Sequence, residues 1–147
     1  MNNLSVTEKF AEVFHHAGVK LTHQRLTILE ETMERRDHPS AEMIFRSVRN
    51  RLPTVSLDTV YRTLWLLDDL GLVAALAPEQ ERIRFDTDPS PHHHFVCTRC
   101  GDISDFTDPR FDRLQPPEAV ESLGKAERVQ VEFRGLCASC QKKPVSQ

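Results

Sequence analysis

Long apolar runs are missing from this chain. None reaches the roughly 18 to 20 residues needed to cross a bilayer, so no membrane-spanning helix is expected. The start, Met1-Asn2-Asn3-Leu4-Ser5, lacks the basic and apolar regions of a secretion signal, which makes a cytoplasmic location the expectation. An excess of positive charge is missing too. The formal net charge is -3, which argues against a broad, nonspecific grip on nucleic acid. It leaves room for a sequence reader, because a small basic patch suffices when a dimer presents two of them. Internal repeats and low-complexity segments are absent. Cysteine is scarce, with four in 147 residues. In a reducing compartment, such cysteines in Cys-x-x-Cys pairs read as metal ligands more readily than as disulfides. The hydrophobic fraction of 39% allows one domain or two small ones, each with a modest core that gains from a staple or partner.

What is present has a clear order. Apolar residues at helical spacing predict a first helix over residues 4–17, ended by Gly18. Thr22 is placed to cap a second helix with Leu26, Ile28, Leu29 and Met33 as its apolar stripe. Ser40 is placed to cap a third, with Ile44, Phe45 and Val48 inward. Ser56 is placed to cap a fourth, running to Leu70, with Val60, Leu64, Leu67 and Leu70 buried and Gly71 at its end. Residues 72–76 and 82–85 read as two short strands joined around Pro78. Helices followed by such a ribbon match a winged helix-turn-helix whose recognition helix is the fourth. Residues 87–91, with two prolines, predict a hinge. The expected division is therefore a DNA-binding domain over 1–86, a hinge over 87–91 and a small α/β domain over 92–147. In the last, strands are expected over 94–97, 103–106 and 129–133, and a helix over 117–123.

Two groups of residues carry chemistry. Cys97-Thr98-Arg99-Cys100 and Cys137-Ala138-Ser139-Cys140 form two knuckles. Each two-residue spacer lets both sulfurs reach one ion, and four thiolates are the soft tetrahedral set that Zn(2+) favours. A redox dithiol is the other chemistry of a single pair, and two matched pairs argue against it. The second group is histidine and carboxylate. In an extended segment His92 and His94 point one way and His93 the other. Asp105 is within reach if the strands pair, Asp86 lies beside the hinge, and His38 sits at a break between helices. Together, His38, Asp86, His92, His94 and Asp105 offer three nitrogens and two carboxylates, a mixture suited to Fe(2+), Mn(2+), Co(2+) or Zn(2+). The same residues are also consistent with a solvated histidine loop, a turn-capping aspartate and a surface histidine before a proline. An ion held by both domains would fix the angle between them and favour one arrangement by differential affinity. On the fourth helix, Ser56 and Thr59 suit close approach to a DNA backbone, Tyr61 a phosphate or thymine methyl, and Arg62 a base edge or phosphate. Arg25, Arg46, Arg49 and Arg51 are further phosphate candidates, with Arg82 and Arg84 on the wing.

Several separated motifs, in this order, resemble the ferric uptake regulator family. They are Gly18-Val19-Lys20-Leu21-Thr22-His23-Gln24-Arg25, His38-Pro39-Ser40-Ala41, Ser56-Leu57-Asp58-Thr59-Val60-Tyr61-Arg62-Thr63-Leu64, Gly71-Leu72-Val73, Arg84-Phe85-Asp86, the run His92 to Gly101, and Cys137 to Cys140. The resemblance implies a homodimeric, metal-dependent transcription regulator, usually a repressor, with a winged-helix N-terminal domain and a C-terminal α/β dimerisation domain. It implies structural zinc on the four cysteines, a regulatory site at His38, Asp86, His92, His94 and Asp105, and AT-rich inverted repeats as operators. Aspartate at 86 and 105 resembles the peroxide-sensing branch, whereas iron-uptake members typically carry glutamate at both. In that branch Fe(2+) and hydrogen peroxide oxidise a liganding imidazole, here His38 or His92, while Mn(2+) supports DNA binding with little sensitivity. Tyr61-Arg62 is similar to the recognition sequence of the iron-uptake and other branches. The alternative is thus an iron- or zinc-homeostasis regulator sensing occupancy alone. Val129 stands where iron-uptake members place a histidine for a third metal site, which leaves that site incomplete.

Overall fold

The computed structural model describes residues 4–77 and 83–145. The chain divides into two compact units, whose described parts are 4–77 with 83–89, and 90–145.

The first unit is helical with a two-stranded ribbon. Its helices are α1 (Val6–His16), α2 (His23–Met33), α3 (Ala41–Val48) and α4 (Leu57–Asp69). Each begins at a hydroxyl. Ser5 forms a reciprocal box with Glu8, its hydroxyl accepting from the Glu8 amide at 3.2 Å. The hydroxyls of Thr22, Ser40 and Ser56 accept from the amides of Arg25, Met43 and Thr59 at 3.3, 3.3 and 3.1 Å. Each bond satisfies an amide the helix itself leaves unpaired. Gly71 closes α4 with φ 72°, a left-handed geometry that costs glycine little.

The core holds Phe14, Ile28, Leu29, Ala41, Ile44, Val48, Val60, Leu64, Leu67 and Phe85. The expected stripes are corrected at several places. Leu26, Met33, Phe45 and Leu70 are only half-buried, while Thr27, Thr32 and Thr63 are buried. These threonines tolerate the interior because each hydroxyl donates to the carbonyl four residues back: His23, Ile28 and Thr59, at 3.0, 2.6 and 2.8 Å. Trp65 is partly exposed and meets Phe85 edge-on, with ring centroids 6.0 Å apart.

The ribbon pairs β1 (Ala74–Leu76) antiparallel with β2 (Arg84–Asp86). Leu72 and Val73, expected in the strand, instead close the helix by donating their amides to the Leu67 carbonyl. Arg82 and the expected turn around Pro78 lie outside the described residues. On its other side β2 meets the segment between α2 and α3. The Phe85 amide donates to the Pro39 carbonyl at 2.9 Å, and Ser40 bridges Arg84 antiparallel.

The second unit has a three-stranded sheet ordered β4-β3-β5, from β3 (His93–Cys97), β4 (Ile103–Phe106) and β5 (Glu132–Gly135). β3 runs antiparallel to β4 and parallel to β5. The third strand was expected over 129–133 and lies further on. Val131 still joins β3, accepting from the His94 amide at 3.1 Å. Its own amide donates to the His93 ring, so a side chain stands in for the ladder there. The helix expected over 117–123 is confined to α6 (Glu118–Glu121), where Pro117 supplies no capping side chain. Two single-turn helices were not expected: α5 (Pro109–Asp112), capped by Asp108, and α7 (Ala138–Gln141), capped by Cys137.

The buried hydrophobic residues described here are few: Val96, Cys97, Ile103 and Cys140. Phe106, Phe111 and Phe133 pack with His93 in a partly open aromatic cluster with centroids 5.6 to 6.2 Å apart. Among the described residues, no helix is long and apolar enough to cross a membrane.

Leu64→Ala is expected to lower the stability of the helical unit by roughly 2–5 kcal/mol, the cost of a leucine-sized cavity. Leu123→Ala, at an exposed position, should change stability by less than about 0.5 kcal/mol. Urea unfolding followed by circular dichroism checks both.

Candidate metal centres and nucleic-acid face

The parallel β3–β5 pairing brings the two knuckles together. Cys97 ends β3 opposite Gly135, the last residue of β5, and the Thr98 amide donates to the Gly135 carbonyl at 2.8 Å. Two residues beyond Gly135 the chain reaches Cys137 at the start of α7. Cys100 returns across a tight turn in which Gly101 has φ 75°. All four sulfurs lie within 4.8 Å of one another, and those of Cys100 and Cys137 are 3.9 Å apart. A tetrahedral ion about 2.3 Å from each sulfur needs sulfur-to-sulfur edges of about 3.8 Å, which the Cys100–Cys137 pair already matches. All four cysteines are free thiols rather than disulfides. Arg99 ties the tail down, donating to the Cys140 carbonyl at 2.7 Å.

The protein also prepares the charge. The amides of Cys100 and Cys137 donate to the Cys97 sulfur at 3.5 and 3.4 Å and hold its pKa down at about 6. Cys140 is pushed the other way, to about 12, chiefly by the neighbouring Cys137 sulfur and then by burial. Gathering negative charge in one place resists deprotonation unless a cation arrives.

The histidine group is built by strand alternation. His94 faces Asp105 across the β3–β4 ladder, and His92 precedes the strand on the same face. The His92 and His94 Nε2 atoms are 3.1 Å apart, and the Asp105 carboxylate is 3.3 Å from His94 and 3.8 Å from His92. Two nitrogens each about 2.0–2.1 Å from one metal ion stand roughly 3 Å apart, so the imidazoles are already at ligand spacing. His92 Nδ1 donates to the Ser90 carbonyl at 2.6 Å, which leaves the Nε2 lone pair of the neutral ring facing His94. His92 and His94 are both buried.

His93 faces the other way and is buried for a structural purpose. Its Nδ1 accepts from the Val131 amide at 3.1 Å and its Nε2 donates to Asp112 at 2.7 Å. The remaining two predicted ligands, His38 and Asp86, belong to the helical unit and are both buried. Each lies two residues from the antiparallel bridge Ser40–Arg84. His38 has φ 50°, an uncommon geometry for a residue with a Cβ. The bonds of Pro39 and Ser40 to β2 hold it there, as does the Thr87 hydroxyl, which donates to the Arg35 carbonyl at 2.8 Å.

On the helical unit, Arg25, Thr59 and Arg62 line one open groove. Lys20, Thr22 and Gln24, at the start of α2, complete its polar wall. These three were missed as a surface because only the fold gathers them. The Ser56 hydroxyl lies 2.9 Å from that of Thr59. Tyr61 is half-buried, and its hydroxyl donates to Glu42 at 2.7 Å, so its ring edge is the part left for a ligand. Arg62 is exposed and paired with Asp58 at 2.9 Å. Three of the other candidate arginines are engaged elsewhere. Arg51 pairs with Glu30 and Glu31, Arg49 lies over Phe45, and Arg84 reaches the Met43 sulfur. Arg46 is exposed on α3.

The ferric uptake regulator family profile matches residues 16–134. The chain is 34% identical over 132 residues to the peroxide operon regulator of Bacillus subtilis, covering 90% of this chain and 91% of that protein. It superposes on the peroxide-sensing regulator PerR of Streptococcus pyogenes with TM-score 0.54 and 31% identity, over 94% of this chain and 95% of that one. The ferric uptake regulator of Helicobacter pylori shares the fold, with TM-score 0.78 over 97% of this chain and 99% of that one at 24% identity.

Two outcomes follow for the sulfur cage. A strong chelator, or Cys137→Ala, should unfold the second unit, because a core this small draws much of its folding free energy from the ion. Circular dichroism and limited proteolysis read that loss. Metal uptake near neutral pH should release protons, since Cys140 begins as a thiol, and should weaken as pH falls through about 6, where Cys97 protonates. Co(2+) titration in weak buffer with a pH indicator measures both.

Proposed function

The chain belongs to the ferric uptake regulator family, and from that premise we propose that it is a homodimeric repressor that senses hydrogen peroxide through a regulatory metal ion. At the coarser level it is a metal-binding, DNA-binding transcriptional regulator and not an enzyme. In the finer reading, Cys97, Cys100, Cys137 and Cys140 hold structural Zn(2+). His38, Asp86, His92, His94 and Asp105 ligate Fe(2+) or Mn(2+), with Zn(2+) as a possible substitute. The domains run over 1–86 and 92–147, with residues 87–91 as the hinge.

The observation that carries the reading is the prepared pair His92 and His94 beside Asp105, an aspartate rather than a glutamate. A nitrogen-rich set with short carboxylates suits a first-row divalent ion. Fe(2+) bound there would supply the electron that turns hydrogen peroxide into a short-lived local oxidant, which Mn(2+) would not. The protein's part is to hold the His38 and His92 imidazoles beside that oxidant. An added oxygen on either ring alters its basicity and geometry, ligand affinity falls, and the DNA-binding state loses its support. The protein is altered once and does not turn over.

DNA is read by α4, with Ser56, Thr59, Tyr61 and Arg62 at the duplex and Arg25 on a phosphate. The operator is an AT-rich inverted repeat matched to the dimer's two-fold axis. Exposed Leu114, Val120, Leu123 and Phe133 offer the second unit an apolar surface for a second copy.

Loading with Fe(2+) and adding low hydrogen peroxide should add oxygen to His38 or His92, located by peptide mass spectrometry. DNA binding should fall in parallel. An Mn(2+)-loaded sample should show neither change. DNA binding that tracks metal occupancy with unmodified histidines would instead leave an iron- or zinc-homeostasis regulator.

A further inference from the structure

The recognition helix carries a carboxylate where contact with DNA makes one costly. Asp58 and Arg62 stand one turn apart on the outer face of α4. The Arg62 Nε donates to Asp58 Oδ2 at 2.9 Å, and both side chains are exposed. Among the described residues this is the only ion pair or hydrogen bond of the Arg62 side chain. The pair lies beside Ser56 and Thr59 at the leading end of the helix.

Two physical consequences follow. An arginine used only to hold a phosphate gains from isolated positive charge, and a carboxylate at 2.9 Å offsets that charge. An arginine used to read a base gains from orientation instead. With Nε held by Asp58, the two terminal nitrogens are left as a planar fork at the outer end of the side chain. That fork matches the O6 and N7 acceptors of guanine in the major groove. Fixing the guanidinium before contact reduces the rotamer freedom lost on binding. It also penalises the wrong base, because a duplex that offers no matching acceptors still meets the carboxylate.

We propose that Asp58 is a positioning residue that orients Arg62 to read one guanine in each operator half-site, so that the pair sets base specificity more than affinity. This rests on the reading of the chain as a DNA-binding regulator. It adds one fixed G·C pair to an otherwise AT-rich frame. The plain alternative is that Asp58 only stabilises the helix, as an acid in the first turn and as half of a surface pair.

The test is in vitro selection from randomised inverted-repeat DNA with the full-length, Mn(2+)-loaded protein. Titrations of the selected operator and of its G·C-to-A·T variant follow, at several salt concentrations. The wild type should enrich one guanine per half-site, and replacing it should weaken binding about tenfold or more. Asp58→Ala should bind the A·T variant at least as well as the wild type does and discriminate less than about threefold. Asp58→Glu, which restores a carboxylate, should recover part of the discrimination. Arg62→Ala should abolish it.

Selected DNA with no guanine would overturn the proposal and leave the regulator reading intact. So would undiminished discrimination by Asp58→Ala, the mark of a purely structural aspartate. Discrimination that survives Arg62→Ala would place the base reading on another residue, also against the proposal. An equal loss for all sequences in Arg62→Ala, with a shallower salt dependence, would mark a phosphate contact and overturn it too. Failure of the wild type to enrich any DNA would remove the regulator reading and this inference with it.

Discussion

The second unit depends on the parallel pairing of β3 with β5 and on the four sulfur atoms that meet at its end. A parallel pair has no hairpin to hold it, and its strands are separated here by a long excursion through α5 and α6. Among the described residues few buried apolar side chains accompany it: Val96 and Ile103, with Cys97 and Cys140. The sulfur cage therefore takes the place of a larger core. Donated amides keep the Cys97 sulfur ready as a thiolate, and the crowding that raises Cys140 is what a divalent ion relieves.

One strand then divides its side chains among three tasks. The period of two sends His92 and His94 toward Asp105 and turns His93 to the opposite face. His93 gathers α5 and the approach to β5 by bonding Asp112 and the Val131 amide. At its end the same strand delivers Cys97 to the cage. A slip of one residue in register would exchange the face toward Asp105 with the face toward Asp112, so the cage also fixes which histidines face Asp105.

Much of this was legible in the residues. Ser40, Ser56 and Thr22 marked helix starts because a hydroxyl before an apolar stripe has one strong use there. The cysteine knuckles and the opposed faces of His92 and His93 followed from spacing alone. The failures have equally local causes. Thr27 and Thr32 look polar in sequence, but their hydroxyls are satisfied within α2 and they enter the core. The alternation over 129–133 suggested a strand that begins later, because the amide of Val131 is taken by a histidine from a distant part of the chain. The engagement of Arg51 with two glutamates and of Tyr61 with Glu42 depends on helix packing that no spacing rule reveals.

The edge-on contact of Trp65 with Phe85 has an optical consequence. Trp65 is the only tryptophan in the chain. Its partner lies in β2, immediately before Asp86, with its backbone bonded to Pro39 beside His38. Indole emission responds to local polarity and to nearby quenchers, so a small displacement of β2 changes the light from one identifiable ring. The protein thus carries its own fluorophore at the base of the ribbon, and ion or duplex binding is measurable on the unlabelled chain.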